Sequence, residues 1–407
     1  MATTTPADGV YKNCENHDTS RPGAAPIEAP TPKASSSKSS SFVDAKEDMT
    51  EHTSTGTQAG APPTEALKTL KVEDKPSSIP TGPVKTPLPH PLPQRKPIPA
   101  KELTPEQEKK YAALLAQVEG WTDVATTTGW RASKEPLNDT DRLFLTRQCL
   151  LRYLRATNWD ISSASKRLLA TLTWQREYGM RNHTPDYIAP ENETGKQVIL
   201  GYDNEARPCL YLNPSKQNTA KTDRQLHHLV FMLERVIDIM VPGQESVALL
   251  INFKDTGGGS GAAGPSVGQG KQTLNILQGH YPERLGRALI SELPWYITTF
   301  FKLISPLIDP VTKSKMKFNE PLVNHVPPSQ LLTQFGGEVQ FEYEHGVYWP
   351  ALNALAERRR RDYRGRWEKA GKKIGEDEAY LRGGDTKSID GKYSGTDFAE
   401  GFMDGTV

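Results

Sequence analysis

The sequence predicts an α/β protein: a largely parallel sheet with helices packed on it, a small helical subdomain in front, and a disordered tail before both. Three observations predict this. Short apolar runs at 198–202, 209–213, 247–253 and 287–291 alternate with helical patterns, as expected of a mostly parallel sheet. The run 247–253 (VALLINF) is apolar almost throughout, like a strand covered on both faces. Residues 1–100 are rich in Pro, Ser, Thr, Ala and Lys and show no apolar period, so burial cannot offset their ordering entropy.

Within that tail, 35–41 is a serine cluster and 87–99 (PLPHPLPQRKPIP) favours polyproline II. The tail reads as a solvated segment, with phosphorylation or partner binding as the sharper alternative. Folding is predicted to start at Thr104, a good N-cap, with Pro105 at the first helical position and Gln107 completing a capping box. Tyr111, Leu114, Leu115 and Val118 then share one helix face. A second helix is predicted over 139–155, with Leu143, Leu150, Leu151 and Leu154 as its apolar stripe. A third runs over 160–178 and ends at Gly179. Together these give a helical subdomain over 103–180.

The sheet domain is predicted over 185–370. Strands at 198–202 and 209–213 flank a tight loop. Residues 222–240 form an amphipathic helix through Leu226, Leu229, Val230, Leu233, Ile237 and Met240. Residues 271–278 are helical, 287–291 is the next buried strand, and 331–334 ends a short helix before Phe335-Gly336-Gly337. An edge strand is expected at 341–343 and a last, basic helix at 349–369. Residues 371–407, rich in Gly and Asp, are expected to be flexible.

Composition excludes several classes. The formal net charge of +1 supplies no global field toward nucleic acid, which is not an expected partner. Three widely spaced cysteines make neither a disulfide framework nor a zinc site, and favour a reducing compartment. The chain shows no secretory signal, and no run reaches the ~20 apolar residues of a membrane span. The expected location is therefore the cytosol, and the sequons at Asn138 and Asn192 are expected to stay unused. The nine histidines show no ligand spacing, and there is no G-x-S-x-G elbow. No enzyme, metal or cofactor is expected.

Gly259, Gly261 and Gly264 satisfy G-x-G-x-x-G after a strand, with Glu292 as a ribose-binding acid, which would suit a nucleotide-dependent oxidoreductase. Against this, the first glycine comes too far past the strand, Pro265 replaces an apolar helix start, and the acid comes late. Gly270-Lys271 fails as a phosphate loop because Gln272 stands where Ser or Thr is needed. The basic run Arg358, Arg359, Arg360, Arg361, Arg364, Arg366 and Lys369 reads as a solvated face, with anionic lipid as the alternative partner.

The informative stretch is 281–315. It opens with Glu283 and Arg284 in a polar turn and passes through the apolar run 288–290. The stretch 293–308 that follows is broken only by Lys302. Asp309-Pro310 then stops the chain before Thr312 and Lys315. An apolar segment with a carboxylate before it and an ammonium after it suits a ligand with a greasy body and a phosphate-bearing head.

Several stretches resemble the CRAL-TRIO lipid-binding proteins, and more narrowly the fungal phosphatidylinositol transfer proteins of the secretory and drug-resistance branches. They are Arg152-Tyr-Leu-Arg-Ala156 with Trp159-Asp160, Trp174 with Tyr178-Gly179, and Arg207-Pro208. They continue with His280-Tyr-Pro-Glu-Arg-Leu-Gly286, Pro306-Leu-Ile-Asp-Pro-Val-Thr312 with Lys315, and Phe335-Gly-Gly337. The resemblance covers about 103–370 and implies a CRAL-TRIO lobe whose sheet floors an apolar lipid cavity. It implies a gate at 295–309, with Trp295, Tyr296, Phe300, Phe301, Leu303 and Ile304 on the gate helix. It also implies that Glu283, Thr312 and Lys315 hold the head group of phosphatidylinositol.

Two departures qualify it. Thr157 stands where the family has a basic phosphate ligand, and Gly257, Gly258 and Gly259 stand where hydroxyls bind phosphatidylcholine. Phosphatidylinositol alone is therefore expected, with a sterol as possible counter-ligand. The implied function is transfer between membranes by a cytoplasmic protein that docks peripherally on endoplasmic reticulum, lipid droplets or the cell periphery. The alternative is a sensor that presents its lipid to a lipid kinase without net transfer.

Overall fold

The structure, a computed structural model, describes residues 83–220, 222–254 and 267–398. Helix α1 (Pro105–Glu119) starts as predicted. The Thr104 hydroxyl accepts from the Gln107 amide at 3.2 Å, and the Gln107 side chain accepts from the Thr104 amide at 3.0 Å. An antiparallel hairpin follows, β1 (Asp123–Ala125) and β2 (Lys134–Pro136), with strands too short to show a sequence period. The helix predicted over 139–155 is two: α2 (Asp139–Phe144) and α3 (Arg147–Arg155). Thr146 divides them, because its hydroxyl accepts from the Cys149 amide and so starts a new helix. Helix α4 (Ile161–Glu177) starts at its cap Asp160. Leu114, Val118, Leu150, Leu154, Leu168 and Leu172 close the core of this subdomain.

After α5 (Pro185–Asn192), β3 (Gln197–Tyr202) and β4 (Pro208–Leu212) form a hairpin. Helix α6 (Asp223–Asp238) leads to β5 (Val247–Asn252), then α7 (Val267–His280), β6 (Leu285–Ser291) and α8 (Trp295–Ile304). Helix α9 (Pro310–Ser314), β7 (Met316–Phe318), α10 (His345–Lys369) and α11 (Glu378–Leu381) complete the order. The sheet order is β3-β4-β5-β6-β7. The β3–β4 pair is antiparallel and the other pairs are parallel, the mixed but mostly parallel sheet that was expected.

Register separates the two faces of this sheet. Leu210, Leu249, Ala288 and Met316 form one row, and Leu212, Ile251, Ile290 and Phe318 form the next row on the same face. Tyr211, Leu250 and Leu289 point the other way and are completely buried, Tyr211 against Phe335 with ring centroids 5.1 Å apart. The first face is less closed: Leu212, Leu249, Ile251 and Met316 are half-buried and Phe318 is exposed.

Both expected tails are shorter than predicted. Val84, inside the stretch read as disordered, forms a parallel bridge with Phe341, and Leu88 is buried in the main core. The Pro89 carbonyl accepts from the Tyr202 hydroxyl at 3.0 Å. Two apolar side chains and a few backbone bonds suffice to order a proline-rich strand that composition alone marks as solvated. Phe341 thus makes a bridge to this strap where an edge strand was expected. The short helix expected at 331–334 is a 3₁₀ turn at Thr333–Phe335.

Residues 371–398, read as flexible, form a brace. Gly375 donates to the Leu145 carbonyl at 2.7 Å and the Arg147 amide donates to Glu376 at 2.9 Å. Glu378 is buried and accepts from Thr146 and Arg152, both at 2.7 Å. The basic run of α10 serves this assembly. Arg360 pairs with Asp238 at 2.7 Å, and Arg366 donates to the carbonyls of Gly395 and Leu381.

Candidate functional site

The polar end of the site sits where β6 begins. Glu283 occupies the turn before it with φ of +60°, a left-handed conformation that turns the chain sharply into the strand. Its Oε2 accepts from Arg155 Nε at 2.5 Å. Arg155 ends α3, so the helical subdomain supplies the partner, and its guanidinium also lies 3.5 Å from Glu245. Arg155 holds one carboxylate oxygen of Glu283 and leaves Oε1 as an acceptor. Lys315 approaches from the other side, immediately before β7, and its Nζ donates to the Leu285 carbonyl at 2.7 Å. Burial depresses the Lys315 ammonium below its ordinary range. Glu283 and Asp309 oppose that shift, while Arg207 and Arg155 add to it.

Thr312 lies one turn from Lys315 on α9, and the Lys315 amide donates to its carbonyl at 3.1 Å. Asp309 does not simply stop the chain. It N-caps α9, accepting from the Thr312 amide at 2.8 Å. The absence of a basic residue at Thr157 has a structural counterpart: the Thr157 hydroxyl turns back on the carbonyls of Tyr153 and Leu154. The cation at this end of α3 is Arg155, two residues earlier, which pairs with Glu283. Arg207, part of the Arg207-Pro208 stretch that was given no role, is a second cation here, bonded to Ser246 at 3.0 Å and paired with Asp203 and Glu205. It packs so closely on Gly286 that a Cβ there would collide with it.

The stretch 295–309, expected to be a gate, divides into two pieces. Helix α8 ends at Ile304 and a 3₁₀ turn spans Ser305–Leu307, because Pro306 has no amide to continue the helix. Ile297, Phe300, Phe301 and Ile304 fall at helical spacing. Ile297 and Ile304 are buried, while Phe300 abuts Gly270 of α7. Phe301 meets Phe253 and Phe318 edge-on, with ring centroids 6.4 and 5.6 Å apart, which sets α8 over the less closed sheet face. The outer side is also apolar: Trp295 is 81% exposed, and Tyr296, Leu303, Leu307 and Val311 are exposed with it. Gln278 of α7 holds the far end, donating to the Leu307 carbonyl at 3.0 Å and accepting from the Asp309 amide at 2.9 Å.

The helical subdomain in turn clamps the end of α7. Arg167 donates to the carbonyls of Gln278 and Gly279, and the Tyr153 hydroxyl to that of His280. Trp174 stacks on His280 with centroids 4.2 Å apart. Trp174 and His280 lie in the quoted motif stretches, but nothing in the sequence announced Gln278 or Arg167, because each bonds backbone across elements far apart in the chain. A groove of about 1680 Å³ lies elsewhere, under residues 90–104, and reaches the site only at Arg155. The Gly259–Gly264 pattern lies outside the described residues.

The CRAL/TRIO domain family matches residues 192–337, and the CRAL/TRIO N-terminal domain matches residues 110–170. A phosphatidylinositol transfer protein of Saccharomyces cerevisiae, PDR17, is 38% identical over 267 residues, covering 61% of this chain and 76% of that protein. The chain belongs to the CRAL-TRIO family. A CRAL-TRIO domain-containing protein of Schizosaccharomyces pombe is 49% identical over 322 residues; that is 79% of this chain, but the chain spans only 32% of that relative. The SEC14 cytosolic factor of Candida glabrata is 27% identical over 218 residues, 48% of this chain and 72% of that one. The solved structure of Sfh5 aligns with a TM-score of 0.43 at 15% identity, over 65% of this chain and all of that one. The two CRAL-TRIO matches take in both partners of the Arg155–Glu283 pair, one from each domain.

Proposed function

We propose that this protein binds phosphatidylinositol and transfers it between membranes. The observation that carries the reading is the placement of Lys315, bonded to the Leu285 carbonyl two residues after Glu283, beside an apolar sheet face covered by α8. Glu283 Oε1 accepts from the inositol hydroxyls. Lys315 pairs with the phosphate through a charge-assisted hydrogen bond, and Thr312 on α9 adds a hydroxyl. The acyl chains lie along Leu212, Leu249 and Ile251.

Each methylene held in a bilayer is stabilised by about 0.8 kcal/mol against water, so two acyl chains leave a membrane only into an interior that is comparably apolar. The gate supplies the entrance. Its exposed Trp295 and Tyr296 suit the membrane interface, where amphipathic rings concentrate. Docking opens α8, lipid exchanges at nearly equal free energy, and closure releases the protein. Phosphatidylinositol homeostasis follows, with a sterol as the candidate return cargo. Peripheral, transient membrane contact fits the finding that no described helix is long and apolar enough to cross a membrane.

The test is transfer of labelled phosphatidylinositol between vesicles. Glu283→Gln and Lys315→Ala are expected to abolish it while circular dichroism stays unchanged; full transfer by both variants overturns the site. Mass spectrometry of co-purifying lipid identifies the cargo. A protein that binds phosphatidylinositol but moves none would instead be a sensor presenting it to a lipid kinase.

A further inference from the structure

Of the seven tryptophans, Trp295 on the gate is 81% exposed, and Trp130 is more exposed still at 86%. Trp130 lies in the loop between β1 and β2, remote in sequence from any residue of the site. An indole in water is an unfavourable state, since tryptophan is highly buried on average. Here the fold takes trouble to hold it there. Arg176 at the end of α4 donates to the carbonyls of Val124, Glu135 and Pro136 and pairs with Asp141 at 2.6 Å, which ties both strands down. Glu177 accepts from the Thr128 amide at 3.1 Å. Within the loop, the Thr126 amide donates to Ser133 and the Ala132 amide to Gly129. Val124 is buried in the core of the subdomain. The tip is therefore a stiff projection.

Its chemistry selects a partner. The Arg131 guanidinium lies 4.1 Å from the Trp130 ring centre, and Lys134 follows. Carboxylates lie at the base of the hairpin, with Asp123 and Glu135 in its strands and Glu177 on the Thr128 amide, while 127–134 carries the indole, Arg131 and Lys134. An amphipathic ring with basic neighbours matches the boundary of an anionic bilayer, where rings settle at head-group level and cations meet acidic lipids. The projection is also connected to the gate. It rests on the turn of α4 that carries Trp174, which stacks on His280, two residues beyond the Gln278 that holds the end of the gate.

We propose that the tip of the β1–β2 hairpin is a second membrane contact, in which Trp130 enters the interface and Arg131 and Lys134 meet anionic head groups. It acts with Trp295 to set the protein's orientation on the bilayer. This rests on the lipid-transfer reading above and extends it.

The test places an environment-sensitive fluorophore at Trp130→Cys in a Cys14→Ser background; the other two cysteines, Cys149 and Cys209, are buried. Vesicles of phosphatidylcholine alone and with phosphatidylserine are then added. The expected result is a blue shift with the anionic vesicles. In parallel, Arg131→Ala in the otherwise unaltered chain is expected to weaken partitioning onto anionic vesicles about fivefold, the effect of one basic residue near such a surface. Trp130→Ala is expected to weaken it too, with the unfolding midpoint and bound phosphatidylinositol unchanged. A fluorophore that stays in water while Trp295→Ala abolishes vesicle binding overturns this proposal alone and leaves a protein as the partner of the tip. Loss of all vesicle binding and transfer by the unaltered protein overturns the lipid-transfer reading instead.

Discussion

Replacing Gln278 by Ala removes a side chain that bonds both sides of the C-terminal end of the proposed gate. Two hydrogen bonds are lost, at 3.0 Å to the Leu307 carbonyl and 2.9 Å from the Asp309 amide. The first is solvent-exposed and belongs at the low end of the net range, about 0.5 kcal/mol; the second is half-buried and contributes about 1 kcal/mol. Their sum, about 1.5 kcal/mol, shifts the balance between closed and open gate roughly tenfold toward open. Native-state hydrogen exchange measures this where the gate bonds to itself. The Ser305 amide donates to Phe301 and the Ile308 amide to Ser305, so neither bond includes Gln278. Both amides are expected to exchange about ten times faster in Gln278→Ala, and phosphatidylinositol transfer is expected to speed up at low membrane concentration. If only the Asp309 amide accelerates, Gln278 is a local acceptor and does not hold the gate.

Other predictions test the frame of the site. Arg155→Ala frees the Glu283 carboxylate and is expected to lower phosphatidylinositol affinity about tenfold or more, the worth of a hydrogen bond to a charged group, as read by equilibrium lipid binding. Arg152 is buried between Glu245 and Glu378, so Arg152→Ala is expected to cost about 3–5 kcal/mol in urea unfolding. Leu88→Ala is expected to cost about 2 kcal/mol, and deletion of residues 1–100 to lower the unfolding midpoint, because both remove the strap from the core. Acid stability carries a His280 signature. Burial, with Arg167 adding, lowers its imidazole from 6.5 to about 4. The folded state then binds fewer protons than the unfolded state between those values, so stability is full above pH 6.5 and falls as the pH drops toward 4. His280→Phe is expected to reduce the slope of that limb, to which His183, lowered to about 4 by its own burial, also contributes, measured by urea midpoints across the range.

The elements most legible in the sequence were those with a long period or a local cap. Thr104 with Gln107 gave the start of α1, and the apolar stripe of residues 226–240 gave α6, because both signals lie within one or two turns. The hairpin β1–β2 was illegible: three residues per strand carry no period, and what holds them is Arg176, some forty residues away. The motif residues Glu283 and Lys315 were readable by resemblance, but Arg155 was not assigned, since its role depends on α3 folding against the turn before β6. Composition misjudged 83–98 and 371–398 for a related reason. Polar, proline- or glycine-rich segments are solvated unless a few side chains find a prepared surface, and Leu88, Ile374 and Glu378 do.

The pairing of Arg152 with Glu378 joins residues 226 positions apart. At ribosomal speeds of roughly 5–20 residues per second, the guanidinium waits on the order of ten to forty-five seconds for this second carboxylate to be made. Until then Arg152 has Glu245 as its carboxylate partner, and the seam lacks the bonds that Thr146 and Arg152 make to Glu378. The seam between the helical subdomain and the sheet lobe is thus completed only when the 371–398 brace docks.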